Sequence, residues 1–198
     1  MAAITKGEMT RAKVLEKARP LVNRKGFSNT STNDVVEATG VKKGNLYFHF
    51  PSKENLGLSI LEKAQKDFFL FLDYSLLGER PLEKIFNFFD AALEIHTKNK
   101  FEGGCLFGNT ALEMGDTNTR FSKKVDEVFQ HWAAVLTDLL VEARKMGDLK
   151  TDISPEALAK HIVATIEGGI MMSKVSKKEE DLRDCLQSLR VLLGAKTL

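Results

Sequence analysis

Residues 41–56 read VKKGNLYFHFPSKENL, and this stretch decides the fold. A short segment with an apolar face precedes it and ends at Gly40, so a glycine-containing turn separates two short helices. Pro51 closes the second helix, because proline cannot continue a helix, and Ser52 can cap the next one. Two short helices joined by a tight turn predict a helix-turn-helix, whose second helix enters the major groove of DNA.

The second short helix separates into an apolar and a polar face. The inward face consists of Val41, Leu46 and Phe50. The outward face consists of Lys42, Lys43, Asn45, Phe48 and His49. Cations on this face suit phosphates and an amide suits a base edge, while Gly44 permits close approach of the backbone. Tyr47 is either a groove-facing residue or a core aromatic. Without the surrounding motif, His49 would be interpreted as an ordinary surface histidine.

The charge distribution is uneven. Residues 1–55 carry ten Lys or Arg and five Asp or Glu, whereas the rest of the 198-residue chain carries nineteen and twenty-two. The net charge of +2 therefore divides into +5 and −3. A basic N-terminal quarter favours nucleic acid as a partner, although a solvated helix surface would look the same.

Apolar residues at helical spacing run through most of the chain. The pattern predicts helices over 82–99, 105–114, 118–145, 155–173 and 178–193, after a long helix that begins near residue 53. Pro20 lies inside the first helix, which must either bend there or tolerate the lost hydrogen bond. No segment alternates with period two for long enough to predict a sheet, so the predicted fold is all-α.

Several classes of protein are disfavoured. The longest stretch without Asp, Glu, Lys or Arg is ten residues, and a membrane helix needs roughly 20 apolar residues. The first ten residues lack a secretory signal pattern. The only cysteines, Cys105 and Cys185, are far apart, which argues against a disulfide scaffold or a CxxC metal site. We therefore expect a cytoplasmic protein with no membrane partner, metal or cofactor.

The KGNLYFHFPSKENL run, extended back through RKGF at 24–27 and Thr30 to Thr32, resembles the TetR family of bacterial transcriptional regulators. The resemblance covers roughly residues 8–62. It implies a three-helix DNA-binding domain at 1–53, joined by a long helix to a helical effector-binding and dimerisation domain at 54–198. It also implies a regulator, most often a repressor, that binds a palindromic operator on double-stranded DNA as a homodimer and is released by a small effector.

The resemblance also assigns DNA contacts. It places Tyr47 and His49 on phosphates and Lys43 and Asn45 nearest the bases, with Thr32 and Lys53 clamping the backbone. The full predicted set is Thr32, Lys42, Lys43, Gly44, Asn45, Tyr47, Phe48, His49 and Lys53. Two positions depart from the family pattern, since Lys42 replaces a small capping hydroxyl and Phe48 replaces a frequent Tyr.

In this family the last two long helices pair with their copies in a second subunit. The candidate interface residues are Leu158, Ile162, Thr165, Gly169, Leu182, Cys185, Leu186 and Leu189. The alternative is that these faces pack within one subunit.

A small hydrophobic or aromatic effector is expected between the middle helices, because such pockets are mostly apolar with a few polar groups. Candidate contacts are Phe68, Phe89, His96, Cys105, Asn109, Glu113, His131, Trp132, Glu167 and Met171. Most aromatic residues there would simply be core.

Three rival interpretations stay open. An enzyme could use Cys105 with His96 or His131 and Glu113, but no catalytic motif fixes their geometry, so we predict no enzyme. Oxidation of Cys105 could switch a redox-sensing regulator. An architectural DNA binder or adaptor would need no effector at all.

Overall fold

The computed structural model describes residues 5–194. Its secondary structure in that range consists of helices joined by turns and loops, which confirms the predicted all-α fold. The termini of the two predicted domains, residues 1–4 and 195–198, lie outside the described residues. The described helices are α1 (Lys6–Lys25), α2 (Thr32–Thr39), α3 (Lys43–His49), α4 (Lys53–Ser75), α5 (Pro81–Lys98), α6 (Leu106–Met114), α7 (Thr119–Lys145), α8 (Pro155–Ser176) and α9 (Glu179–Leu192).

The chain forms two compact units whose boundaries differ from the predicted division at residue 53. The first unit combines residues up to 66 with 106–125, and the second combines 67–105 with the residues from 126 onward. The first unit therefore holds α6 and the start of α7 as well as the helix-turn-helix.

α1 is one continuous helix through Pro20, which is exposed. The helix therefore tolerates the proline rather than ending there. Its start is fixed by a capping box, in which Thr5 Oγ1 accepts the N–H of Glu8 at 3.2 Å and the Glu8 carboxylate accepts the N–H of Thr5 at 2.8 Å.

The two helices of the helix-turn-helix begin and end where their cap residues predict. Ser31 forms a capping box with Asp34 at the start of α2, and Gly40 ends α2 in the left-handed conformation at φ 68°. At the start of α3, Lys42 makes no side-chain cap hydrogen bond, as expected from the replacement of the usual hydroxyl. α3 is held instead by its apolar face, where Leu46 and Phe50 are each 2% exposed.

Aromatic packing joins α7 to the helix-turn-helix in the first unit. The rings of Phe27 and Phe121 lie 4.7 Å apart. A Cβ on Gly57 of α4 would lie 2.2 Å from the Phe27 ring and 2.7 Å from Phe121. Only glycine lets α4 approach this pair, which explains why the start of α7 belongs to the first unit.

The second unit is built around one apolar core that α8 and α9 share with α5 and α7. Gly169 of α8 allows α9 to come close, since a Cβ there would lie 3.0 Å from Leu182 and 3.1 Å from the Cβ of Cys185. Arg190 of α9 donates to Asp90 of α5 at 2.6 Å and lies over the ring of Phe86. Among the described residues, no helix is long and apolar enough to cross a membrane.

Candidate DNA-binding surface

α3 presents the polar face that the sequence predicts. Lys42, Lys43, Gly44 and Asn45 are exposed, and Phe48 is 80% exposed. The predicted inward face is also confirmed, because Val41, Leu46 and Phe50 are all buried. The helix therefore offers two cations, an amide and an aromatic ring to a partner.

The two residues with alternative interpretations lie at the edge of this face. Tyr47 is 40% exposed, so it is not a core aromatic. His49 is half-buried, and its ring meets that of Phe48 edge-on at 5.2 Å. A Cβ added to Gly44 would meet no atom within 4 Å. Packing within the chain therefore does not require glycine there, and the space in front of this residue is open to a partner.

Lys53, a predicted phosphate clamp, makes contacts within its own unit. Its ammonium group donates to the carbonyl oxygen of Ser28 at 2.9 Å and lies 4.9 Å from the centre of the Phe27 ring. These contacts hold the first residue of α4 against the turn between α1 and α2. The side chain is thus occupied within its own unit. Thr32, the other predicted clamp, is half-buried as the first residue of α2.

Two of the predicted effector contacts, Asn109 and Glu113, form hydrogen bonds within the first unit. Asn109 of α6 donates to Asn23 Oδ1 of α1 at 2.8 Å. The carboxylate of Glu113 accepts the N–H of Phe27 at 2.8 Å and that of Ser28 at 2.5 Å. Helical periodicity placed both residues on α6 but could not show which helix they face.

The other predicted effector contacts lie in the second unit, where two aromatic residues come together. Phe68 packs edge-on against Trp132 with ring centroids 5.2 Å apart. The indole Nε1 of Trp132 is buried and has no hydrogen-bond partner. An unsatisfied buried donor is unfavourable by about 1–3 kcal/mol, so this N–H is a group that a bound ligand could satisfy.

A second polar group in this unit lacks a full set of partners. Glu167 accepts a hydrogen bond from Cys105, yet its Oε1 is inaccessible to solvent and has no partner. Burial raises the pKa of Glu167 to about 6, although the Cys105 hydrogen bond lowers it. The structure therefore brings Cys105 and Glu167 together, as a thiol beside a buried carboxyl.

The remaining effector candidates do not join these groups. Phe89 is fully buried core, and burial lowers the pKa of the half-buried His96. His131 stacks on Phe69 with centroids 4.1 Å apart. Met171 is 54% exposed on the outer surface of α8, so it does not line the interior of its unit. No group of three or more potential metal ligands occurs among residues 5–194.

The candidate dimer-interface residues are mostly buried inside one subunit. The buried ones are Leu158, Ile162, Gly169, Leu182, Leu186 and Leu189. Thr165 and Cys185 are half-buried, and burial raises the pKa of the Cys185 thiol. The bulky aliphatic residues of α8 and α9 belong to the apolar core of the second unit.

Sequence reasoning missed a second stripe on α8. It is exposed or half-exposed along its length and consists of Ala157, His161, Ala164, Gly168, Met171 and Val175. The residues are spaced alternately by four and three, which is the spacing of a helix seam. Half of this stripe consists of Ala and Gly and one member is a histidine, so its hydrophobic signal is weaker than that of the leucine-rich face. The regular spacing could nevertheless have revealed it.

Comparison with known proteins agrees with a helix-turn-helix followed by a helical second part. The family model "Bacterial regulatory proteins, tetR family" matches residues 14–60, and "Tetracyclin repressor-like, C-terminal domain" matches residues 81–189. The chain belongs to the TetR family. Members of this family are DNA-binding transcriptional regulators and not enzymes.

Named relatives of this TetR-family chain span nearly its whole length. The HTH-type transcriptional repressor DhaR of Mycobacterium sp. strain GP1 is 26% identical over 87% of this chain and 86% of its own. The transcriptional regulator AcuR of Cereibacter sphaeroides is 30% identical over 81% and 74%. The crystal structure of a TetR regulator from Chloroflexus aurantiacus is 29% identical, with a TM-score of 0.88 over 95% and 96% of the two chains.

Proposed function

We propose that this chain is a ligand-responsive transcriptional repressor that binds a palindromic operator as a homodimer. The observation that carries the proposal is the exposed face of α3, with Lys42, Lys43 and Asn45 outward and Leu46 buried. Lys43 and Asn45 reach base edges, while Lys42, Tyr47 and His49 bind phosphates. Since its operator lies in a bacterial chromosome, the protein acts in the cytoplasm.

The exposed stripe of α8 is the surface proposed for dimerisation. Gly168, where a Cβ would meet no atom within 4 Å, permits close approach of the partner helix. Met171 and Met172 lie one helical turn after Gly168 and are 54% and 51% exposed. On α9, Val191 and Leu192 add 45% and 41% exposed side chains. A symmetric pair of such faces would bury apolar surface that one subunit leaves in water.

The effector is proposed to be a small hydrophobic molecule with a polar group. Support comes from two buried groups of the second unit that lack partners, the Nε1 donor of Trp132 and the Oε1 acceptor of Glu167. A ligand that donates to the carboxyl oxygen, or accepts from the indole, would remove the unfavourable desolvation. Its binding would shift the population of DNA-competent dimers.

A redox-sensing regulator through Cys105 is the alternative. The half-buried thiol donates to Glu167, so it is already engaged with a buried carboxyl. This contact favours the effector over oxidation as the signal. Release from the operator by micromolar hydrogen peroxide, lost in Cys105→Ser, would reverse that preference.

The experiment that tests the proposal is selection of genomic fragments by the purified protein. Lys43→Glu reverses an exposed charge on α3, and the matched control Lys150→Glu reverses an exposed charge in the second unit. We expect wild type and Lys150→Glu to recover one palindromic sequence that Lys43→Glu does not. Recovery of unrelated fragments by all three proteins would instead indicate an architectural DNA binder.

A further inference from the structure

The turn between α1 and α2 has backbone donors that neither helix satisfies. α1 ends at Lys25, and the N–H of Gly26 closes the helix by bonding to Val22 O at 2.9 Å. The next two N–H groups, of Phe27 and Ser28, lie beyond the α1 ladder, and α2 begins only after Ser31. Such donors are left to water or to a partner from elsewhere in the fold.

One carboxylate supplies both partners from a distant part of the sequence. Glu113 Oε2 accepts from Phe27 and Oε1 accepts from Ser28, so each oxygen holds one N–H. Burial would raise the pKa of Glu113, but the hydrogen bonds from Ser28 and Phe27 outweigh burial and keep the pKa below its usual value. The group therefore accepts both bonds as an anion at neutral pH, and charge-assisted bonds of this kind are the stronger class.

Gly26 makes this approach possible. Its φ is +85°, and a Cβ on it would lie 3.0 Å from Glu113 Oε2. A side chain at this position would strain the turn and press on the carboxylate.

The same turn also holds the start of α4. The carbonyl of Ser28 accepts the Lys53 ammonium, and Lys53 is the first residue of α4. α4 begins four residues after the end of α3 at His49. A chain of contacts thus runs from Glu113 through the turn to the helix that follows α3. Asn109 of α6 adds a second bond to α1 at Asn23.

We propose that Glu113 is a positioning residue for operator binding, whose carboxylate fixes the α1–α2 turn and thereby the pose of the helices that flank α3. The inference rests on the proposed function, since it requires a specific operator. Glu113 itself does not touch DNA in this proposal. It acts by holding the turn in the geometry in which α2, α3 and the start of α4 meet the duplex together.

The test compares Glu113→Gln with the matched control Asp116→Asn. Both remove one negative charge from the first unit, and loss of an acid by itself strengthens attraction to phosphates. The glutamine amide accepts one N–H but turns its own NH₂ toward the other donor. We therefore expect opposite signs, with operator affinity at least about tenfold weaker for Glu113→Gln and unchanged or tighter for Asp116→Asn.

Affinity for unrelated DNA should be unchanged or slightly tighter in both variants, because each loses one acid, and the dimer constant should not change. Both are measured at a temperature where thermal melts show the variants fully folded. A purely stabilising role for Glu113 would leave the ratio of specific to nonspecific affinity intact, so an unchanged ratio overturns the proposal. Should Glu113→Gln fail to fold, hydrogen exchange on the wild-type protein serves instead. The amides of Phe27 and Ser28 should exchange as slowly as those of α1, and fast exchange would overturn the proposal.

This design separates the inference from the function on which it rests. A wild-type protein that selects no operator contradicts the proposed function. A wild-type protein that selects one, with Glu113→Gln binding it equally well, contradicts only the role of Glu113.

Discussion

Met171→Glu should convert the dimer into folded monomers, because Met171 lies in the exposed stripe of α8. The side chain is 54% exposed in one subunit, so pairing with a second copy can bury about half of it. Full burial of a methionine is worth about 1.5–3 kcal/mol. Half of that from each of two copies amounts to about 1.5–3 kcal/mol per dimer, or roughly 10- to 150-fold in the dissociation constant. Two carboxylates desolvated in the seam would weaken the dimer further.

The matched comparison is Leu186→Glu on α9. Leu186 is 3% exposed and packs in the core of its own subunit. Truncating this side chain alone would lower the free energy of unfolding by about 2–5 kcal/mol, and an unpaired buried charge would lower it further. We therefore expect Leu186→Glu to lower the melting temperature sharply or to unfold the second unit.

Sedimentation velocity and circular dichroism distinguish the two outcomes. Met171→Glu should sediment as a monomer with the helical signal and melting temperature of an intact subunit. A dimer that persists at micromolar concentration would refute the assignment of the exposed stripe. A well-folded monomeric Leu186→Glu would show that the leucine face, and not the α8 stripe, holds the subunits together.

The remaining predictions concern the two units separately. Burial raises the pKa of Glu167 to about 6. The stability that its protonated form contributes is therefore present below pH 4.5 and is lost as the pH rises through 6. Glu167→Gln should therefore increase the free energy of unfolding at pH 7.5 by on the order of 2 kcal/mol, which raises the melting temperature, and should change both little at pH 4.5. Equal effects at the two pH values would contradict a raised pKa of the buried Glu167 carboxyl. Gly57→Ala should destabilise the first unit by about 1–3 kcal/mol through overpacking against Phe27, measured by urea denaturation, and a neutral change would show that the ring can move freely. Lys53→Ala should loosen the turn at Ser28 and speed its amide exchange, whereas an effect on the salt slope of DNA binding alone would restore its predicted role as a phosphate clamp.

The helix-turn-helix was predictable because its signals are local. Ser31 caps α2 through its own neighbour Asp34, and Gly40 ends it by adopting a left-handed conformation. The inward and outward faces of α3 follow from the 3.6-residue period alone. The same locality made the start of α8 predictable, where Ser154 caps a helix with Pro155 at its first position.

The roles of Asn109 and Glu113 were not predictable, because they depend on which helices meet. Periodicity places residues on a common face of α6 but carries no information about the element opposite that face. The bonds to Asn23 and to the α1–α2 turn span about 86 positions. The contact of Lys53 was not predictable for the same reason, since its partner Ser28 is 25 positions away.

The choice of face on α8 depends on a different physical property. This helix has two apolar stripes, and the stripe with Leu158 and Ile162 has the larger hydrophobic signal. If the exposed stripe is the interface, as proposed, the larger signal marks the interior of the subunit, and the weaker, exposed stripe is left for the partner. Strength of hydrophobicity therefore does not distinguish an interface from a core; burial in one subunit does.

Footprinting on the DNA recovered by genomic selection tests the regulator proposal most directly. A dimer that places one copy of α3 in each half-site should protect two related segments whose centres lie one helical turn, or a small multiple of it, apart on one face of the duplex, roughly 34–36 Å in the simplest case. Lys43→Glu should lose both segments together, and Lys150→Glu should keep both. A single continuous footprint on unrelated sequences, unchanged by Lys43→Glu, would contradict the assignment of α3 as the element that reads DNA.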